Sequence, residues 1–86
     1  MTIEARQDGT IEAAYLRVSD LPVATTREIV PNALLADYSK SGALVGIEIL
    51  GPVTSAAIER LFKNHKRRTA VRKFVEKAAP KTLVTA

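Results

Sequence analysis

The segment that most constrains the fold is residues 42–52, which read G-A-L-V-G-I-E-I-L-G-P and form the most apolar stretch of the chain. Val45, Ile47 and Ile49 recur at every second position, a period that is typical of a strand with one fully buried face. The Gly-Pro pair that ends the segment separates an acidic, strand-like half from a basic, helix-like half. The pattern predicts that this segment contains the last and most buried strand of a sheet.

Four earlier segments alternate in the same way, at residues 2–6, 12–19, 24–30 and 33–38. Turn and breaker residues, such as the Asp8-Gly9 pair and Pro22, lie between them. Because the connections are too short for a crossover helix, the strands can pair only as an antiparallel meander. The sequence therefore predicts an α+β fold, in which an antiparallel β-meander of four to five short strands (residues 1–52) is followed by one or two C-terminal α-helices.

Residues 53–79 are predicted to form a basic amphipathic helical extension, because their apolar residues follow the helical period. Two apolar stripes have the spacing i, i+3, i+4, i+7: Ile58, Leu61, Phe62 and His65 in the first, and Val71, Phe74, Val75 and Ala78 in the second. Phe62 and Val71 are nine residues apart. That separation corresponds to about 900° of helix rotation, so the stripes are half a turn out of phase.

Two structures would explain these stripes. Either the helix breaks near residues 64–69, with Thr69 capping a second helix, or one long helix packs one stripe on its own sheet and the other on a partner. The break is the favoured interpretation. The helical region ends before Pro80, and residues 80–86 are predicted to be a flexible tail.

Charge is distributed unevenly along the chain. Residues 1–54 hold four basic and seven acidic residues, a net charge of −3, whereas residues 55–86 hold nine basic and two acidic residues, a net charge of +7. Such a division is typical of a binding surface. The cations that would contact phosphates in a nucleic acid are Lys63, Lys66, Arg67, Arg68, Arg72 and Lys73. The segment has no recognisable helix-turn-helix, and it lacks aromatic residues for stacking apart from Phe74, which lies on an apolar stripe.

A protein partner is the other interpretation of the same segment, and the one that we favour from the sequence. Val71, Phe74, Val75 and Ala78 would then be anchors in an acidic groove, with lysines and arginines at its rim. Apolar positions on both faces of the sheet also predict a homodimer, since one helix cannot cover both faces. The expected function is a non-enzymatic, dimeric interaction module whose C-terminal basic helix binds a partner protein, and the alternative is a nucleic-acid-binding protein.

Several segments of the first half resemble the bacterial family of short β-meander proteins called domain of unknown function 2283. The resemblance covers about residues 2–52 and rests on Y-L-R-V-S at 15–19, P-V-A-T-T-R-E-I-V-P at 22–31, A-D-Y at 36–38 and, most specifically, G-A-L-V-G-I-E-I-L at 42–50. It implies a β-meander and no catalytic residues. Some members look like partners of small toxin proteins, so it also implies an antitoxin-like role. The basic extension lies outside the resemblance.

Catalytic and metal-binding chemistry is not predicted. The chain has no cysteine, and its only histidine, His65, lies among basic residues that disfavour a cation, so no metal or cofactor is expected. Glu28, Asp37 and Glu48 fall on successive predicted strands and would share a face only in a suitable register. Alternating charges of this kind are typical of a solvated sheet face, so no enzyme activity is expected.

The sequence also carries a prediction about location. Residues 1–6 lack the apolar region and the small-residue cleavage site of a signal peptide. No apolar run approaches the ~20 residues that a membrane helix needs. The sequence therefore predicts a cytoplasmic protein.

Overall fold

The computed structural model describes residues 1–86, apart from the side chain of Ile11. Five antiparallel strands form one sheet: β1 Thr2–Asp8, β2 Ile11–Arg17, β3 Thr25–Val30, β4 Leu34–Tyr38 and β5 Leu44–Ile49. A helical region follows, with β6 Val53–Thr54, α1 Ser55–Glu59, α2 His65–Ala78 and β7 Val84–Thr85. The predicted α+β fold, an antiparallel meander followed by C-terminal helices, is confirmed.

The strand segment of residues 42–52, now β5, lies at the centre of the sheet. The spatial order is β1-β2-β5-β4-β3, so a β1–β2 hairpin and a β3–β4–β5 meander meet where β2 pairs with β5. Val45, Ile47 and Ile49 are fully buried, which agrees with the predicted burial. The amides of Val18 and Ser19 donate to the carbonyl of Val45 at 2.8 and 3.1 Å, and these bonds direct the β2–β3 connection past the end of β5.

The helical region breaks as the sequence favours, but at a different residue. Asn64 precedes α2 with an extended backbone, and its side-chain oxygen accepts the amide of Arg67 at 3.2 Å, the geometry of an N-cap. Thr69 lies inside α2, where its hydroxyl donates to the carbonyl of His65 at 3.4 Å. The prediction that Thr69 caps the second helix is therefore wrong. His65, assigned to the first stripe, is the exposed first residue of α2.

The capping assignment has a measurable consequence. Asn64→Ala is expected to lower the free energy of unfolding by about 1 kcal/mol, because an amide at the start of α2 loses its acceptor. Thr69→Ala is expected to change it by less than about 0.5 kcal/mol, because this exposed hydroxyl bonds only within its own helix. Urea titrations followed by circular dichroism measure both values. A larger loss for Thr69→Ala than for Asn64→Ala would contradict the assignment.

The sheet and the helical region share one hydrophobic core. The buried side chains that form it come from all parts of the chain: Ala14, Leu16, Leu34, Ile47, Ile49, Val53, Ile58, Phe62, Val71, Val75, Ala79, Leu83 and Val84. Because α1 and α2 are separate, the buried members of both predicted stripes, Ile58 and Phe62 in the first and Val71 and Val75 in the second, pack in the same core. The extension is thus an integral layer of the domain, and the opposite side of the sheet is its open face.

Residues 80–86 differ from the predicted flexible tail. The carbonyl of Pro80 accepts the amides of Leu83 and Val84, a turn that folds the chain back after α2. Leu83 and Val84 are buried, and β7 pairs in parallel with β6. The Thr82 hydroxyl also donates to the carboxylate of Glu12 on β2. The physical reason for the difference is that these two apolar side chains complete the core.

Candidate functional site

The outer side of α2 presents a row of lysines to solvent. Lys66, Lys73 and Lys77 lie within about 40° of one another around the helix, on the side opposite Val75, at about 100° per residue. All three are exposed, and within the described part of the chain none has a hydrogen-bond or ion-pair partner. These three side chains are called the basic row below. Lys77 is absent from the cations singled out in the sequence, although its spacing of eleven residues from Lys66 is a helical one.

The three arginines among the remaining predicted cations are also exposed but have intramolecular contacts. The Arg67 guanidinium lies over the ring of Phe62, 5.4 Å from its centroid, and Arg68 donates to the Phe62 carbonyl. Arg72 forms an ion pair with Glu59 at 3.8 Å. These arginines join α2 to α1 and to the turn between the two helices, so they combine a structural role with positive charge. Lys63 is exposed in the turn itself.

The start of α2 concentrates positive charge. Its first turn contains no acidic residue and carries Lys66, Arg67 and Arg68 close to one another. Since the N-terminus of a helix already has a partial positive charge, these side chains destabilise the helix and strengthen the local positive potential. Clustered exposed cations of this kind attract polyanions and hold them through phosphate contacts.

The four predicted partner-binding residues do not form a common exposed surface. Val71 and Val75 are fully buried in the chain's own core, and Phe74 is half-buried against that core. Ala78 is exposed. The buried valines therefore cannot contact a partner in this fold, because the break before α2 turns their stripe towards the sheet.

On the open face, a hydrogen-bonded network joins β2, β3 and β4. Tyr15 Oη donates to Asp37 Oδ2 at 2.8 Å, and Thr26 Oγ1 donates to Asp37 Oδ1 at 2.6 Å. The Tyr15 ring crosses β5 above Gly46, where a Cβ atom would lie 2.0 Å from the tyrosine oxygen. The sequence alone indicates only that Gly46 occupies a bulge or close-packing position. The structure identifies the close contact as Tyr15.

The environment of Tyr15 fixes its protonation. Burial, followed by the hydrogen bond and negative charge of Asp37, raises the pKa of Tyr15 to about 12. The hydroxyl therefore stays protonated even above the ordinary pKa of 10.0 and acts as a donor rather than as a base. The two hydrogen bonds of Asp37 therefore link β2 and β3 to β4 and stabilise the sheet.

Glu28, Asp37 and Glu48 share the open face, as their alternation allows, but the register keeps them apart. Glu28 and Glu48 lie on opposite sides of Leu35, each paired with it, and Asp37 lies beside Gly46. Among the described residues, no three potential ligands of the His, Cys, Asp or Glu type come together. His65 lies at the other side of the molecule, at the start of α2.

No helix in the described part of the chain has the length and apolar character needed to cross a membrane.

Comparison with known proteins identifies one family. The family model described as "Protein of unknown function (DUF2283)" matches residues 8–51, which agrees with the resemblance found in the sequence. The match includes β2 to β5, and with them the network of Tyr15, Thr26 and Asp37. The basic row lies outside it. No curated protein and no solved structure matches the chain.

Proposed function

Because the chain belongs to the DUF2283 family of proteins of unknown function, we propose its activity from its own surfaces: it is a small, non-enzymatic protein that binds nucleic acid through the basic row of α2. The observation that carries this proposal is the contrast between the two sides of α2. The apolar side of α2 is buried in the chain's own core, and the lysines of the basic row face solvent without partners among the described residues. A cytoplasmic location, proposed from the sequence, would give access to nucleic acid.

The spacing of the basic row suits a phosphate backbone. Lys66 and Lys77 are eleven residues apart, which corresponds to about 16 Å along the helix axis. A line of that length runs past several phosphates of a duplex, which carries one charge per ~1.7 Å. Lysine ammonium groups contact phosphates without reading bases, so binding is expected to be insensitive to sequence.

An acidic protein is the competing occupant of this surface, in keeping with the partner-binding and antitoxin-like expectations from the sequence. Its support is weaker, because two of its four proposed anchors, Val71 and Val75, are buried. The two proposals differ in a way that can be measured. Nucleic acid binding would release counterions and depend steeply on salt.

The test uses fluorescence anisotropy of the full chain with labelled duplex DNA, single-stranded RNA and duplex RNA across a salt series. We expect the logarithm of the affinity for duplex DNA to fall linearly with the logarithm of salt, by about 0.9 per phosphate contacted. The triple variant K66Q/K73Q/K77Q should reduce that slope by up to about 2.7 and weaken binding at least about tenfold at low salt.

The control variant is R17Q/R27Q/K40Q, which removes the same charge from exposed positions elsewhere. It should retain most of the affinity and the slope of the parent. Equal losses in the two triple variants would mean that only net charge matters and would contradict a role for the basic row. Failure of all three nucleic acids to bind at low salt would end the proposal.

A further inference from the structure

β1 is an open edge of the sheet. Six of its seven residues are exposed, and it pairs through all seven with β2 on one side only. It contains no proline and no irregularity in register. The opposite edge, β3, has a register shift between Glu28 and Val30, a feature that discourages pairing with another chain. The unprotected edge is therefore β1.

The hairpin geometry determines which backbone groups of β1 face outwards. Gly9 and Thr10 form a two-residue loop between Asp8 and Ile11, and the positive φ of Gly9 (62°) fits a tight hairpin turn. The pair that closes such a turn is hydrogen-bonded, and residues of an antiparallel strand then alternate between bonding inwards and pointing away. The outward-pointing amides and carbonyls are therefore those of Ile3, Ala5 and Gln7.

We propose that β1 pairs antiparallel with β1 of a second copy of this chain, about a two-fold axis at Ala5. In that register Ala5 faces the partner's Ala5 and Ile3 faces the partner's Gln7, so all three outward residues of each copy are hydrogen-bonded. Glu4 then lies directly opposite the partner's Arg6, and Arg6 lies opposite the partner's Glu4, on the same side of the sheet. Opposite charges at facing positions stabilise strand pairing.

The neighbouring registers lack this charge complementarity. A shift that keeps outward groups facing one another moves the axis by one residue, to Glu4 or to Arg6. The first places Glu4 against the partner's Glu4, and the second places Arg6 against the partner's Arg6. Like charges directly opposite one another are destabilising, so the sequence of β1 selects the register centred on Ala5.

Such a dimer would have a defined shape. The axis is perpendicular to the sheet, so two five-stranded sheets become one ten-stranded sheet with both helical layers on the same side. The two basic rows would then face the same direction. Pairing through one edge strand makes a small interface, so we expect a dimer that dissociates on dilution.

Charge exchange tests the register. Glu4→Arg alone, or Arg6→Glu alone, creates two like-charge pairs and should weaken the dimer roughly tenfold, as measured by sedimentation velocity over a concentration series. An equimolar mixture of the two variants should recover association as a heterodimer, and the double variant E4R/R6E should recover it as a homodimer. Glu28→Arg, on β3, is the control and should leave association unchanged.

A backbone variant tests the edge itself. Ala5→Pro removes an outward amide while leaving the hydrogen bonds to β2, so it should give a monomer with an unchanged circular dichroism spectrum. A parent chain that remains monomeric at millimolar concentration would overturn the proposal. So would a dimer that is insensitive to Glu4→Arg, that responds to Glu28→Arg instead, or that persists in folded Ala5→Pro.

Discussion

Leu83→Ala is expected to lower the free energy of unfolding by about 2–3 kcal/mol, a large share of the stability of so short a chain. The side chain is 4% exposed and packs in the core beneath α2, so its truncation leaves a cavity between the helical layer and the sheet. Val84→Ala should cost about 1–2 kcal/mol for the same reason. Urea unfolding followed by circular dichroism measures both changes.

Lys81→Ala is the matched control for these substitutions, because it lies in the same segment with an exposed side chain. It should change the free energy of unfolding by no more than about 0.5 kcal/mol. If Leu83→Ala behaved like Lys81→Ala, residues 80–86 would be the flexible tail that the sequence predicts. Their packing against the core would then be wrong.

Gly46→Ala is expected to displace Tyr15 from Asp37 and to lower the free energy of unfolding by about 1–3 kcal/mol. The added Cβ would lie 2.0 Å from the tyrosine oxygen, and the ring can relieve the clash only by moving away from β5. The pKa of Tyr15 should then fall from about 12 towards the ordinary 10.0, since both its burial and its contact with Asp37 are lost. Ultraviolet titration in a Tyr38→Phe background isolates this tyrosine.

The control is the same substitution in a Tyr15→Ala background, where the space above Gly46 is empty. There Gly46→Ala should be nearly neutral or slightly stabilising, because alanine has less freedom than glycine in the unfolded chain. The difference between the two backgrounds measures the coupling between Gly46 and Tyr15. Equal effects in the two backgrounds would show that the ring does not require the glycine.

Part of the candidate site follows from the sequence and part does not. The cations between residues 63 and 73 are identifiable because charged side chains on a helix seldom leave solvent. The sequence does not show whether Val71 and Val75 are covered by the chain's own core or by a partner, because an apolar stripe has the same spacing in both cases. The break before α2 turns the stripe towards the chain's own core. Both Asn64 and Thr69 are suitable capping residues, and the position at which the second stripe reaches the sheet selects Asn64.

By itself the sequence determined the local features of this protein: five alternating strands, a boundary at Gly51-Pro52, and a basic amphipathic region after it. Periodicity records which side of an element is apolar, and this information lies within a few neighbouring residues. The tertiary structure alone decided that β5 pairs with β2, that Leu83 and Val84 join the core beside Val53, and that Tyr15 crosses Gly46 to reach Asp37. These contacts join residues more than twenty positions apart, and no local pattern records the partner of a distant side chain.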